Sequence, residues 1–301
     1  MQQKSQKQSD KPTTIEKSYE HLTAWQTVQV ARHKDRPYAA DYIRLMCDDF
    51  FELHGDRIYG DDQSILAGPA QFNGSTVMFI CHQKGRDSQQ KLLCNFGMAH
   101  PEGYRKAIRL MKQAEKFRFP VVYLIDTPGA SPTLEDEQRE QSWAIANSLY
   151  TMSSLRVPTI AVVIGEGGGE GALAMSVADR LLMLEHSIYT VASPEAAASI
   201  LWSDATFAPQ AAESMQIRAQ DLLRANFIDE IIIEPSGGAH HDYNAAANTL
   251  KAALCHHLST LKSLTPEALI AQRHQKFRDI GPFSTIPSVM TDISEAHEIA
   301  M

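Results

Sequence analysis

The chain is poor in cysteine, has no long apolar run and carries no excess of positive charge, and each shortage removes a class of protein. Four cysteines, Cys47, Cys81, Cys94 and Cys255, are spread over 301 residues. None forms C-x-x-C, so they are not read as a disulfide scaffold, and a reducing cytoplasm is the expected compartment. The His pairs at 240–241 and 256–257 have no Cys or carboxylate at zinc-ligand spacing, so no metal is expected on this chain. There is no stretch of about 18 apolar residues, so no membrane-spanning helix is expected. The N-terminal MQQKSQKQSDKPTT has charges but no apolar core and is not read as a secretory signal. With 28 Lys+Arg against 36 Asp+Glu the formal charge is −8, which argues against a broad nucleic-acid-binding face. One basic cluster, Arg105, Lys106, Arg109, Lys112, Lys116 and Arg118, has helical spacing. It reads either as a solvated helix face or as a contact for an anionic ligand such as a CoA phosphate.

What is present is ordinary globular material, 44% hydrophobic and 21% charged with 16 Gly and 14 Pro. Residues 1–18 are polar and read as a mobile tail. Residues 19–262 read as one α/β domain, because β-rich runs alternate with helical stretches. A first helical pattern starts near Tyr19–Trp25 and a second spans 38–54. Strands are expected at 64–72, 76–82, 121–126, 159–164, 180–184, 188–191 and 231–234. Helices are expected over 101–117, over 135–155, from the Gly-rich loop through Ala178, and over 245–262. Residues 263–301, interrupted by Pro266, Pro282 and Pro287, read as an extended or partly ordered extension.

Two loops can carry chemistry. VVYLIDTPGA (121–130) ends a buried strand in a tight turn. It resembles a GTPase switch, but no G-x-x-x-x-G-K-[ST] loop accompanies it. A tight strand-to-helix turn explains it equally, as does a turn held against a ligand. The second loop, Gly165-Glu166-Gly167-Gly168-Gly169-Glu170-Gly171, follows a strand and opens a helix. Backbone N–H groups there lack intrahelical partners and can bind an anion or the enolate oxygen of a thioester. A dinucleotide fingerprint at Gly167-x-Gly169-x-x-Ala172 is a weak match, and close helix–strand packing is the bland explanation.

HGDR (54–57), YGDD (59–62), HQKGRD (82–87), NFGMAHPEGYRKAIRLM (95–111), IDTPGA (125–130), IGEGG (164–168), SPEAAASILW (193–202) and EPSGGAH (234–240) occur in this order. Together they resemble the α subunit of bacterial acetyl-CoA carboxylase carboxyltransferase, from about Ala24 to about Leu261. The resemblance implies an α/β, crotonase-like (ClpP/crotonase) fold of repeated ββα units forming a superhelix with flanking helices. It also implies an α2β2 assembly with a β-type subunit that holds acyl-CoA and a zinc ribbon. Carboxybiotin would arrive on a separate biotin carrier protein. The α-side oxyanion hole would come from a Gly-Gly pair within the loop Gly165, Gly167, Gly168, Gly169, Glu170 and Gly171. Arg86, Asn95, Gly129, Ala130, Ser131, Pro194 and Glu195 would shape the substrate pocket.

The sequence departs from the family pattern at this site. GEGGSGGAL becomes GEGGGEGAL, so Glu170 replaces the first Gly of the pair and Gly171 is the second. Glycine's freedom at positive φ is expected to be lost there. GAYPGVGAEERGQ becomes GASPTLEDEQREQ at 129–141, a loop expected to be stiffer and more acidic. SPEG becomes SPEA, with Ala196. The leading expectation is a carboxyltransferase moving CO2 from carboxybiotin to acetyl-CoA to give malonyl-CoA. A divergent paralogue of an acyl or polyketide pathway, served by an acyl carrier protein, could instead use Glu170 as acid or base in biotin-independent thioester chemistry. A non-catalytic partner of a β-type subunit is the third reading.

Overall fold

The computed structural model describes residues 22–281. The tail expected at 1–18, the start of the helical pattern at Tyr19 and the end of the C-terminal extension lie outside the described residues. Helices α1 (Ala24–Ala31) and α2 (Ala39–Met46) precede a hairpin of β1 (Ile65–Phe72) and β2 (Ser75–His82). Its turn, Asn73-Gly74, has φ of 48° and 76°, the pair of positive values that a tight antiparallel hairpin needs. Then follow α3 (Ser88–Leu93), α4 (Pro101–Phe117), β3 (Val121–Thr127), α5 (Leu134–Gln138), α6 (Gln141–Ser154), β4 (Thr159–Gly168) and α7 (Gly169–Leu173). The chain continues through β5 (Arg180–Leu184), β6 (Ile188–Thr190), α8 (Pro194–Trp202), α9 (Ala208–Met215), α10 (Ala219–Arg224), β7 (Glu230–Ile232), α11 (Tyr243–Leu261) and α12 (Pro266–Arg278).

The strands form one mixed sheet in the order β1-β2-β3-β4-β5-β7. Only β1–β2 is antiparallel along that path. β6 pairs in parallel with the far end of β4, at Glu166–Gly168, where β5 has already left it. Every residue of β3 and β4 is buried, as strands covered on both faces must be. Alternate side chains serve two layers. Tyr123, Ile125, Ala161 and Val163 pack on α4 and α6, while Val122, Leu124, Ile160 and Val162 meet α2 and α11.

Four expectations change. The helix expected over 38–54 stops at Met46, because Asp48 bridges Gln71 of β1 and Asp49 turns left-handed at φ 47°. The helix expected over 135–155 is two, broken at Glu140 with φ 67°. β4 does not end at Ile164 but runs to Gly168, which shortens the helix expected through Ala178 to one turn and a half. The segment beyond 263, expected to be extended or partly ordered, carries α12. Pro266, read as a breaker, occupies the first turn after the Thr265 cap, where a missing N–H costs nothing.

α12 is held by a buried ion pair. The Arg273 guanidinium bonds both oxygens of Asp179 at 2.8 and 2.9 Å and the carbonyls of Met152 and Leu155 at 2.6 and 3.0 Å. Those carbonyls end α6, whose last turn has no intrahelical donors to accept from.

Candidate functional site

The site lies where β3 and β4 end. The pairing Ile125–Val163 is followed by Thr127–Gly167, so Asp126 on β3 faces three residues of β4. This bulge is filled by the Asp126 carboxylate, whose Oδ1 accepts the Glu166 backbone N–H at 2.9 Å. A Cβ on Gly165 would stand 2.5 Å from that same oxygen, so only glycine lets the strand pass. Bulges re-aim a strand. Here the excursion carries Gly167 and Gly168 across to Tyr189 and Thr190 of β6.

The Pro128-Gly129 turn of β3 then touches the backbone that follows β4. A Cβ on Gly168 would be 2.2 Å from the Pro128 carbonyl oxygen, and one on Gly171 would be 2.6 Å from the Gly129 carbonyl. Contact this close is backbone on backbone and tolerates no side chain. Gly169 carries the left-handed φ of 53°. Glu170 is helical, on the first turn of α7, so the strain expected from losing a glycine there does not arise.

Glu170 is exposed and stands between two cavities. One, of about 550 Å³, is mostly apolar and is walled by Gly169, Glu170, Leu173, Tyr189, Val191 and Phe227 among others. The second, of about 390 Å³, is walled by Ala130, Ser131, Gln141, Ile145, Glu170 and Leu173 among others. Glu170 and Leu173 therefore belong to both walls.

The divergent loop after Gly129 is organised around one carboxylate. Asp136, fully buried, accepts from the hydroxyls of Ser131 and Thr133, each at 2.5 Å, from Arg139 at 2.7 Å, and contacts His100 Nδ1 at 2.8 Å. Burial works against its charge, but the Ser131, Thr133 and His100 bonds outweigh it and hold the acid below its ordinary range. Asn95 joins this group by donating to Ser131 Oγ at 3.0 Å. The added acidity is thus partly internal and satisfied.

A chain of charges underlies the bulge. Lys84 Nζ lies 2.7 Å from Asp126 Oδ1 and 2.6 Å from Glu166 Oε2. Glu166 Oε1 also accepts from Arg32 at 2.6 Å, and Arg32 reaches on to Glu195 at 2.5 Å. Burial opposes the Lys84 ammonium, yet its two carboxylates prevail and raise its pKa. Burial likewise opposes the charge on Glu166, but Lys84 and Arg32 lower its pKa. Beneath, Arg36 donates to the Ile164 carbonyl at 2.7 Å and forks onto Glu234 at 2.5 and 3.0 Å.

Of the expected pocket residues, Gly129 and Ala130 lie against Gly171, Ser131 shares a cavity wall with Glu170, and Asn95 reaches this group through Ser131. Glu195 belongs instead to the charge chain, and Pro194 is buried at the start of α8. Arg86 stands apart. Its guanidinium lies over the Tyr38 ring at 4.7 Å, bonds the Tyr243 hydroxyl at 3.2 Å and pairs with Asp41, so it walls neither cavity. Ala196 takes the Ser193 cap hydrogen bond with its N–H at 3.1 Å and is exposed, so its methyl group meets no obstacle. Lys84, Asp126, Glu166 and Arg32 are not marked as site residues by any pattern in the sequence. Three of them sit inside the motifs quoted above, and charged residues within otherwise apolar strand ends are the available signal.

Residues 1–281 match the family model described as acetyl co-enzyme A carboxylase carboxyltransferase-like. The chain is 53% identical over 266 residues to the acetyl-coenzyme A carboxylase carboxyl transferase subunit alpha of Geobacter metallireducens, covering 88% of this chain and 84% of that one. It is 51% identical over 286 residues to the Bordetella pertussis protein of the same name, covering 95% and 87%. Among solved structures, a transcarboxylase 12S core aligns with a TM-score of 0.61 at 20% identity, over 78% of this chain and 44% of that one. The β subunit of a Pseudomonas aeruginosa geranyl-CoA carboxylase aligns with a TM-score of 0.59 at 15% identity, over 88% and 48%. The chain thus spans less than half the length of these two structures, and at such identity they establish the shared crotonase-like fold.

Proposed function

Because the chain belongs to the acetyl-CoA carboxylase carboxyltransferase α-subunit family, we propose that it presents carboxybiotin to an acyl thioester, with acetyl-CoA carboxylated to malonyl-CoA. The observation that carries this reading is the backbone from Gly168 to Gly171, fixed by contact with Pro128 and Gly129, with Gly169 and Glu170 on the wall of one cavity and Glu170 on that of the other. Biotin, borne by a separate carrier protein, supplies the carboxyl group. What suits it is the first turn of α7, whose N–H groups have no intrahelical acceptor and stand at the positive end of the helix. We assign Gly171, with the amides around it, to the ureido oxygen, where negative charge develops as the carboxyl group leaves. Ala130 and Ser131 wall the approach, and Asn95 holds Ser131 in place.

The reaction needs a β-type subunit for the acyl-CoA, in the α2β2 arrangement of the family. The word alpha in the relatives' names supports such a partner. So do the exposed Ile200, Leu201 and Trp202 on α8, since apolar side chains gathered on a surface mark contact sites. Zinc is assigned to that partner. Among the described residues no group of three or more His, Cys, Asp or Glu is arranged to hold a metal ion. Four free cysteines suit a reducing cytoplasm. The test is co-expression with the zinc-ribbon β-type subunit and assay of malonyl-CoA-dependent carboxylation of biocytin. Turnover supports the reading, and a stable complex without it rejects it.

A further inference from the structure

We propose that Lys84 is a positioning residue for carboxyl transfer, acting by holding the Asp126–Glu166 bulge that sets the Gly168–Gly171 backbone against the Pro128-Gly129 turn. The inference rests on the reading above, since it concerns the same backbone. Asp126 and Glu166 are almost fully buried, with side-chain exposures of 3% and 9%. Asp126 Oδ1 receives both the Lys84 ammonium and the Glu166 N–H. Lys84 is thus the shared counter-ion of two carboxylates that would otherwise repel across the bulge.

The charge chain holds two cations, Arg32 and Lys84, against three carboxylates, Asp126, Glu166 and Glu195. Arg32 neutralises the Glu166–Glu195 end and has no bond to Asp126. Loss of Lys84 therefore falls on the bulge itself. Two residues beyond Glu166 the backbone is in contact with Pro128, at the spacing where a single methyl group cannot fit. A displaced Glu166 must move that contact and the amides after it. The Lys84 stem also fills the space over Gly97, whose added Cβ would be 2.8 Å from Lys84 Cγ. This ties the same side chain to the turn that carries Asn95.

The experiment uses the full chain in complex with its β-type partner and two variants, Lys84→Met and Lys84→Met/Asp126→Asn. The double variant removes one carboxylate with the cation, and the amide oxygen that replaces the carboxylate can still accept the Glu166 N–H. Lys84→Met is expected to lower kcat for biocytin carboxylation about 10- to 100-fold while KM for malonyl-CoA stays within about twofold. Amide exchange over residues 166–171 should rise in Lys84→Met with the β2 and β5 amides unchanged, and the double variant should recover most of the lost kcat. Native-like kcat in Lys84→Met, exchange that rises equally across the sheet, or a double variant no better than the single overturns the proposal. If Lys84→Met does not fold, the double variant, which keeps the native net charge of the charge chain, decides, and its failure to fold or turn over also overturns the proposal. A native complex without carboxyl transfer rejects the functional reading alone, since exchange at 166–171 still reports on Lys84.

Discussion

The Asp126 carboxylate sits inside the β3–β4 bulge and accepts the backbone N–H of Glu166 at 2.9 Å, so a side chain of one strand takes the place of a missing ladder bond. Through this bond the turn after β3 and the backbone after β4 form one unit.

That unit makes two neighbouring glycines unequal. Gly171→Ala places a Cβ 2.6 Å from the Gly129 carbonyl, whereas a Cβ at Gly129 meets nothing within 4 Å. Gly171→Ala is expected to cost about 2 kcal/mol or more and to abolish turnover, because backbone must shift at the site. Gly129→Ala should leave stability within about 1 kcal/mol. Urea midpoints of the two variants, measured side by side, check this.

Glu170 carries a charge where an anion is expected to develop, but in an exposed position. In water the repulsion over about 4 Å is about 1 kcal/mol. Glu170→Gln should therefore raise kcat for biocytin carboxylation about fivefold, an advantage that shrinks in high salt. Abolished turnover would instead make Glu170 an acid or base.

Glu140 is left-handed at φ 67° between α5 and α6. A side chain in that conformation costs roughly 1–2 kcal/mol. Glu140→Gly is expected to stabilise the chain by about 1 kcal/mol, less than the full strain because glycine loses more entropy on folding. Chemical denaturation gives the answer directly.

His82 is fully buried with neither ring nitrogen bonded. Burial, aided by the nearby Lys84 charge, lowers its pKa to about 3. The unfolded chain takes up this proton near pH 6.5 and the folded chain does so only near 3, so stability is full above 6.5 and falls as pH drops between them. At pH 5 the loss is about 2 kcal/mol relative to pH 7.5. His82→Phe should flatten that part of the stability profile, and an unchanged slope would show that other groups carry it.

Arg273→Met leaves Asp179 buried without its cation and the end of α6 without a donor. The expected loss is about 3–5 kcal/mol, and removal of residues 264–301 should cost at least as much. Thermal unfolding of both variants tests whether α12 is integral to the domain.

The sheet is readable because its buried strands are short runs of β-branched and aromatic residues, as in VVYLID and TIAVVI. α4 is readable from Pro101 at its start and its apolar stripe. Where sequence and structure part, long-range partners decide the backbone. Ile164 looks like a strand end because the residues after it are glycines, yet β6 supplies pairing for Glu166–Gly168. Pro266 looks like an interruption because the Arg273–Asp179 pair that docks α12 spans 94 residues. The grouping of Gly129, Ala130, Ser131 and Asn95 comes from the family resemblance of the motifs that hold them, not from their spacing in the chain. The placement of Arg86 follows from neither, since Tyr38, Asp41 and Tyr243 lie far from it in the chain.

The charge chain also has a history in time. Arg32 is separated from Glu166 by 134 residues and from Glu195 by 163, and Lys84 from Glu166 by 82. Chains are made from the N-terminus and non-local contacts form late. While the protein is being synthesised, Arg32 and Lys84 wait in water for acids that have not yet been made. Asp126 can meet Lys84 early, but the bulge closes only after Glu166 has left the ribosome. A polypeptide that stops short of β4 therefore has the hairpin and part of the core, and none of the geometry that would let it act.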